Sequence, residues 1–329
     1  MKVMVSGVTG FLGGRVAAKL AEAGHQVVGF CRDESRWADR PASATAVVGD
    51  VTDRAAVERA VDGCDAAVHA AALVKTWVRD KRQFDRVNVE GLGYMLEACR
   101  GTVSRLVYTS SFIALGPTDG TTFDERTPRA TQTFNNDYER TKWVADQLAR
   151  NADSRDLDLV RVYPGVVFGP GALTQGNHVV QLLLQHARGK LPGMLGSGDL
   201  RQCFAFVDDV AAGVVLALDK GTAGDGYILG GENRTGVELF AAFEAATGIA
   251  PPTRKIPFWA ATGIGKLQRW RAELLGIEPE LTDEVVGVYR HEWAYASDKA
   301  QRELGYRITP FSEAIERTVA WARGIGELS

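Results

Sequence analysis

The sequence has no bias of charge: 38 basic side chains stand against 41 acidic ones, a formal charge of −3 over 329 residues. With no surplus of cations to exchange for counterions on a phosphate backbone, nucleic acid is excluded as a main partner. Cysteine is scarce, and Cys31, Cys64, Cys99 and Cys203 lie too far apart for paired metal-ligand spacing. They read as free thiols in a reducing compartment, which points to the cytoplasm. The five histidines, His25, His69, His178, His186 and His291, form no close ligand pair, so no metal is expected. No apolar run approaches the length of a membrane span, and the short run from Met1 to Val5 meets Gly7 too soon for a signal peptide. Internal repeats and long polar linkers are missing as well.

Glycine, by contrast, is abundant. The 36 glycines exceed a typical share of ~7% and gather beside apolar segments, as tight backbone-exposing turns would. The first half alternates short apolar or β-branched runs with segments of helical period. Strands are expected at Lys2 to Ser6, Gln26 to Cys31, Thr45 to Val48, Ala66 to His69, Leu106 to Thr109 and Leu157 to Val162. Between the first two, Leu12, Val16 and Leu20 fall four residues apart, and Gly24 closes the helix.

Strand–helix–strand repetition implies a mostly parallel sheet covered on both faces, an α/β Rossmann-type doubly wound fold with ligands at the carboxyl ends of its strands. After Pro164 the alternation fades and glycine and proline punctuation increases, and Cys203 to Val207 looks like a return to the sheet. The expected organisation is a dinucleotide-binding domain over 1–165 with a return segment about 200–220. A smaller, discontinuous α/β substrate-binding domain takes 166–199 and 221–329.

Gly7, Gly10 and Gly13 stand in Ser6-Gly7-Val8-Thr9-Gly10-Phe11-Leu12-Gly13, between the first strand and the first helix. Glycine there permits close approach of a pyrophosphate and close packing of helix on strand, while the helix N-terminus offers free N–H groups. The second strand ends Phe30-Cys31-Arg32-Asp33. Arg32 suits a 2′-phosphate and favours NADP over NAD, whereas Asp33 next to it would suit the ribose hydroxyls of NAD. Asp50, followed by Val51 after the third strand, either meets the adenine amino group or caps the helix that begins near Asp53.

Tyr138 and Lys142 are four residues apart in a segment of helical period, so phenol and ammonium project from one face. A free phenol titrates near ~10, and bringing it to neutral pH takes about 4 kcal/mol of differential stabilisation, which a neighbouring cation would help to supply. Such a phenol exchanges a proton with an alcohol. Ser111, at the end of the fifth strand on the same sheet edge as the glycine loop, can donate to a substrate carbonyl oxygen, so developing charge is met from two directions.

These pieces resemble the extended short-chain dehydrogenase/reductases. The matching segments are Gly7-x-x-Gly10-x-x-Gly13, Val68-His69-Ala70-Ala71-Ala72, Asn88-Val89-Glu90-Gly91, Thr109-Ser110-Ser111, Tyr138-x-x-x-Lys142, Pro164-Gly165-Val166-Val167-Phe168-Gly169 and Val207-Asp208-Asp209-Val210. Within that family the chain is most similar to the dihydroflavonol-reductase-like branch, and through Tyr108-Thr109-Ser110-Ser111-Phe112 and Arg290-His291-x-Trp293-x-Tyr295 to farnesol dehydrogenases. The resemblance implies Tyr138 as acid and base, Lys142 as tuner of the phenol and ribose ligand, and Ser111 as the hydroxyl that orients the carbonyl. It implies a dinucleotide site formed by Gly7, Thr9, Gly10, Phe11, Leu12, Gly13, Arg32, Asp50, Val51, Ala70, Ala71, Ala72, Asn88, Thr109, Tyr138, Lys142, Tyr163, Pro164, Gly165, Val166 and Val167. It also implies dimerisation through the helices near Asn88 to Arg100 and Tyr138 to Arg150.

The expected activity is therefore hydride transfer between NADP, with NAD as the second choice, and a small apolar alcohol or carbonyl of terpenoid or flavonoid type. Trp77, Phe112 and Phe168 are the expected substrate walls, large apolar side chains beside the reactive edge. Two alternatives stay open: a nucleotide-sugar epimerase or dehydratase with tightly held NAD, and a non-catalytic NADP-sensing protein. Arg201 either contacts a diphosphate, as in sugar-nucleotide epimerases, or forms an ion pair near Asp208 and Asp209. The aromatic stretch from Pro257 to Trp270 is either a lid helix or a contact with the membrane interface.

Overall fold

In the computed structural model, which describes residues 1–37, 39–152 and 156–328, the apolar runs form parallel strands. They are β1 (Lys2–Ser6), β2 (Gln26–Cys31), β3 (Thr45–Val48), β4 (Ala66–His69), β5 (Arg105–Thr109) and β6 (Leu159–Pro164). Then follow β7 (Val166–Phe168), β8 (Met194–Leu195), β9 (Arg201–Phe206), β10 (Gly226–Leu229), β11 (Glu232–Thr235) and β12 (Lys255–Ile256). The main sheet has seven strands in the order β10-β6-β5-β4-β1-β2-β3, every pair parallel. Strand order reverses between β1 and β4, and a ligand crevice opens at such a switch point, beyond the carboxyl ends.

The helices are α1 (Phe11–Glu22), α2 (Arg54–Val61), α3 (Arg82–Asp85), α4 (Gly91–Cys99), α5 (Asp137–Ala152), α6 (His178–Ala187), α7 (Val207–Lys220), α8 (Gly236–Thr247), α9 (Phe258–Leu275), α10 (Asp283–Val288), α11 (Asp298–Leu304) and α12 (Phe311–Gly324). Period two along β1 sends Val3 and Val5 to one face and Met4 to the other. Val3 and Val5 pack with Val16 and Leu20 of α1, Val210 and Val214 of α7 and Leu304 of α11. Met4 packs with Val57 of α2, Leu92 and Leu96 of α4 and Ala145 of α5.

The segment expected to return to the sheet does so only through its helix. β9 joins β7 and β11 in a separate three-stranded sheet, and the seventh strand of the main sheet is β10, from the stretch assigned to the substrate-binding part. The reason is local: Gly165 has room for no side chain, since a Cβ there would lie 2.5 Å from the Cys203 carbonyl oxygen. That contact lets β9 cross beside the end of β6 instead of pairing with it. A second core of Phe168, Phe204, Phe206, Phe240, Phe243 and Phe311 lies beneath the small sheet.

Candidate active site

The glycine turn is closed by backbone contacts. Gly7 has φ +79°, and a Cβ on it would stand 2.9 Å from the Ala71 backbone, so β1 and the exit of β4 approach as only glycine allows. A Cβ on Gly13 would fall 2.2 Å from the Gly7 carbonyl oxygen, which fixes how closely α1 packs on the turn. At Gly10 the one neighbour within 4 Å is that same oxygen, at 3.2 Å, so the outer side of the turn stays open. The N-terminus of α1 carries no side-chain cap, and a phosphate suits such a helix end. Phe11 is buried and packs toward Gly171, while Leu12 leans on the core; backbone, not side chain, is what these two offer a ligand.

Ser6 and His69 tie the turn to β4. The Ser6 hydroxyl accepts from the N–H groups of Ala70 and Ala71, both at 3.1 Å, and lies 2.9 Å from His69 Nδ1. With its two lone pairs engaged, the hydroxyl proton goes to Nδ1, which places the imidazole proton on Nε2. Burial, with Lys142 adding to it, pushes His69 down to about 3, so the ring is neutral. This pair was not singled out in the sequence; the only signal was a polar residue at the end of each adjacent strand.

At the end of β2, Asp33 does not turn inward. Its carboxylate accepts from the Ser35 N–H at 3.0 Å and hydroxyl at 2.6 Å, capping a short 3-10 turn. Arg32 is exposed and has no side-chain partner among the described residues. Asp50 accepts from the Thr52 N–H and hydroxyl, both at 2.9 Å, and the cap of α2 is Asp53, which accepts from Ala56 N–H at 3.3 Å. Of the two roles left open for Asp50, helix capping is thereby removed. Val51 is buried against Gly91.

Tyr138 opens the first turn of α5, which Asn136 caps by accepting from the Glu139 N–H at 2.8 Å. Lys142 is buried and its ammonium donates to the Thr109 carbonyl at 3.0 Å, joining α5 to the end of β5. Burial pushes it down to about 8, with Asp146 one turn further on acting in the opposite sense. Asp146 is itself buried, 2.7 Å from Arg150 Nε and 3.3 Å from the Ser110 hydroxyl. Burial pushes the Tyr138 phenol up to about 12, and the neighbouring Ser111 hydroxyl counters that in part. Loss of water thus pushes the phenol against the direction expected from the Tyr138–Lys142 spacing, a contribution that spacing does not register.

Asn88 lies in a π-helical turn, Arg86–Glu90, between α3 and α4. Its Oδ1 accepts from the Leu73 N–H at 2.7 Å and its Nδ2 donates to Thr141 Oγ1 at 3.0 Å. Glu139 is fully buried, paired with Arg129 and accepting from Asn135 N–H at 2.9 Å. Asp146, Thr141, Arg129 and Glu139 were overlooked in the sequence. Asp146 had a legible signal, since it continues the four-residue step from Tyr138 through Lys142.

Tyr138 lines a small cleft with Trp77, Val78, Lys81, Phe84 and Glu284. Trp77 thus lines the cleft of Tyr138, whereas Phe112 and Phe168 are not among its lining residues. Phe112 packs edge-on against Trp293 and Tyr295, with ring centroids 5.5 and 5.7 Å away. Phe168 is fully buried among Phe204, Phe206 and Phe311. Both follow strand ends, yet their rings fill the junction between the sheets. Tyr163 is buried, its hydroxyl accepting from Arg150 at 2.8 Å, and Pro164, Gly165, Val166 and Val167 continue from the end of β6. The glycine turn, Ala70 to Ala72, Arg32, Asp50, Thr109 and Ser111 all occupy the same carboxyl edge of the sheet.

A family model described as "NAD dependent epimerase/dehydratase family" matches residues 3–230. The chain belongs to the NAD-dependent epimerase/dehydratase family. This bears out its resemblance to the extended short-chain dehydrogenase/reductases and makes it an oxidoreductase-superfamily protein with a nicotinamide dinucleotide as cofactor. A protein of Synechocystis sp., named as a candidate dihydroflavonol 4-reductase, is 30% identical over 98% of this chain and 94% of its own length. The 2-alkyl-3-oxoalkanoate reductase of Stenotrophomonas maltophilia is 30% identical over 93% of this chain and 94% of its own. The crystal structure of a protein called gox2253 superposes with a TM-score of 0.82 at 31% identity, covering 99% of both chains.

The open turn at Gly10, the close approach at Gly7 and the uncapped helix end fit the family's dinucleotide. Among the described residues no helix is long and apolar enough to cross a membrane.

Proposed function

We propose that this member of the family is a reductase and dehydrogenase that interconverts a secondary or allylic alcohol and its carbonyl on an apolar molecule of terpenoid or flavonoid type, with NADP preferred. The observation that carries the reading is the cleft in which Tyr138 meets Trp77, Val78 and Phe84, an apolar wall beside a proton-bearing phenol. A relative named for reducing a 2-alkyl-3-oxoalkanoate supports an oxo substrate with an apolar chain. The free Arg32 supports NADP.

The dinucleotide, when bound, supplies or takes up the hydride. The glycine turn and the α1 N-terminus bind its phosphates. Tyr138, pushed up to about 12 by burial, keeps its proton at neutral pH and so stands in the protonated form that donation requires: its O–H bond breaks as the proton passes to the carbonyl oxygen. Ser111 donates a hydrogen bond to that oxygen and holds it beside the phenol. Lys142, near 8, is largely cationic at neutral pH and favours the phenolate left behind. Oxidation runs the same steps backwards.

The nucleotide-sugar reading needs Arg201 for a diphosphate, but Glu292 holds that guanidinium at 2.9 Å and the Thr121 carbonyl takes a further bond at 3.2 Å. Its partner is Glu292, not Asp208 or Asp209, which bind Arg15 and Thr309.

The test is net oxidation of NADPH or NADH with a panel of terpenoid, flavonoid and steroid carbonyls, for the wild type and Tyr138→Phe. Turnover is expected to fall by about 10²–10⁴ in the variant, with dinucleotide affinity unchanged. Undiminished turnover in Tyr138→Phe, or epimerisation without net oxidation, overturns the reading.

A further inference from the structure

One large apolar surface takes no part in the site. Trp259 and Trp270 of α9 are 78% and 58% exposed, and Leu267 and Leu274 are exposed as well. With Gly263 they follow one another at steps of four, four, three and four residues, which stacks them in a single stripe. Ala261, Gly265 and Ala272 are buried on the opposite side. A Cβ on Gly265 would lie 2.4 Å from the Asp283 backbone nitrogen, so α9 is seated on the start of α10 by that side and the stripe cannot rotate inward.

Charge flanks the stripe unevenly. From Arg254 to Leu275 there are five basic residues and one acidic, Glu273, in a chain whose net charge is −3. Arg269 is spent on Asp283 and Glu284. Arg254, Lys255, Lys266 and Arg271 are exposed and have no side-chain partner among the described residues.

We propose that α9 docks the protein on the surface of an anionic lipid bilayer, its stripe lying in the headgroup layer and its free cations meeting lipid phosphates. Tryptophans at two levels of an apolar stripe suit that layer, where an amphipathic ring has one wet and one dry side. Lysine and arginine beside them add attraction to anionic headgroups. A second copy of the chain is the poorer occupant. A two-fold contact sets the patch against itself, which would bring four unpaired cations near their own copies with one glutamate per chain to offset them. The surface also borders the site: Glu284 of α10, paired with Arg269 of α9, lines the cleft of Tyr138, and Lys75 on the same cleft reaches Glu278 just beyond α9 at 3.2 Å. An apolar substrate dissolved in the bilayer would meet the cleft from that side.

Docking does not depend on the reaction proposed above, and its test needs no turnover. The full chain is sedimented with vesicles of phosphatidylcholine alone and of phosphatidylcholine with about a third phosphatidylglycerol, at low and high salt. The comparison proteins are a Trp259→Ser/Leu267→Ser/Trp270→Ser variant and a Lys266→Glu/Arg271→Glu variant, whose changes fall on exposed side chains. Binding to the anionic vesicles, weakened at least tenfold by either variant and by salt, is expected. Failure to bind, or binding that neither variant weakens, overturns the proposal. Self-association in the absence of lipid that the serine variant abolishes, measured by sedimentation velocity, assigns the stripe to a second copy instead.

Discussion

Asn88 donates to Thr141 Oγ1 at 3.0 Å, across the junction of the π-helical turn and α5. Thr141 is one residue before Lys142, and the other end of the same amide accepts from Leu73 at 2.7 Å, on the segment that leads to Trp77. One buried side chain thus spaces the helix that carries the phenol and ammonium from the loop that carries the cleft wall. Asn88→Ala leaves the Leu73 N–H without a partner and takes one donor from the Thr141 hydroxyl, which keeps its own bond to the Asp137 carbonyl at 2.8 Å, and is expected to cost about 1–3 kcal/mol of stability. Turnover should fall more than dinucleotide affinity, since the glycine turn is untouched. Thermal unfolding and NADPH titration check both, and an unchanged melting point would count against the bridge.

Gly13→Ala tests the turn itself. The new Cβ would lie 2.2 Å from the Gly7 carbonyl oxygen, a backbone atom with nowhere to retreat. Relief requires α1 to move off β1, at a cost of about 1–3 kcal/mol, and the helix end then no longer faces the turn. Dinucleotide binding is expected to weaken about a hundredfold or more, with the far-ultraviolet spectrum of the fold retained. Wild-type affinity in a fluorescence titration would remove Gly13 from the dinucleotide site.

Much of this was legible in the order of residues. β1 to β4 fall where apolar runs are bounded by glycine and polar residues, because central parallel strands are apolar on both faces. The seventh strand was missed because Gly226–Leu229 is a four-residue run amid glycine punctuation, and only pairing with β6 makes it part of the sheet. Phe112 and Phe168 follow strand ends as substrate walls do, and nothing local says that their rings turn to the interior. Arg201 pairs with Glu292, 91 residues away, a partner no local pattern reveals. The upward push on Tyr138 likewise comes from packing that spacing does not encode.

His69 gives the fold an acid limit. Its ring accepts the Ser6 proton in the neutral form, and burial with the nearby Lys142 charge pushes it from about 6.5 in the free side chain to about 3. The folded state thus binds fewer protons than the unfolded one between those values, so stability rises with pH across that window and is lost as pH falls below about 6.5. From pH 6.5 to pH 5 the loss from this residue is about 2 kcal/mol. In His69→Gln, denaturant unfolding at the same two pH values should show that much less loss. An equal slope in wild type and variant would assign the acid limit to other groups.

The choice between the two dinucleotides is to be tested at Arg32. Asp33, the residue that would otherwise bind the adenosine ribose, is held by Ser35, and burying that carboxylate against a ribose would require breaking both bonds. The guanidinium of Arg32 is left exposed at the carboxyl end of β2, where a 2′-phosphate would give it a charged acceptor. Hydrogen bonds to charged groups contribute about 1.5–3 kcal/mol, so Arg32→Ala is expected to weaken NADPH binding by about ten- to a hundredfold and to leave NADH binding within about twofold. Isothermal titration of both dinucleotides against wild type and variant measures the difference. An equal loss for NADH and NADPH would mean that Arg32 supports the fold of the turn and does not read the phosphate, and a wild type that binds NADH more tightly would reverse the preference.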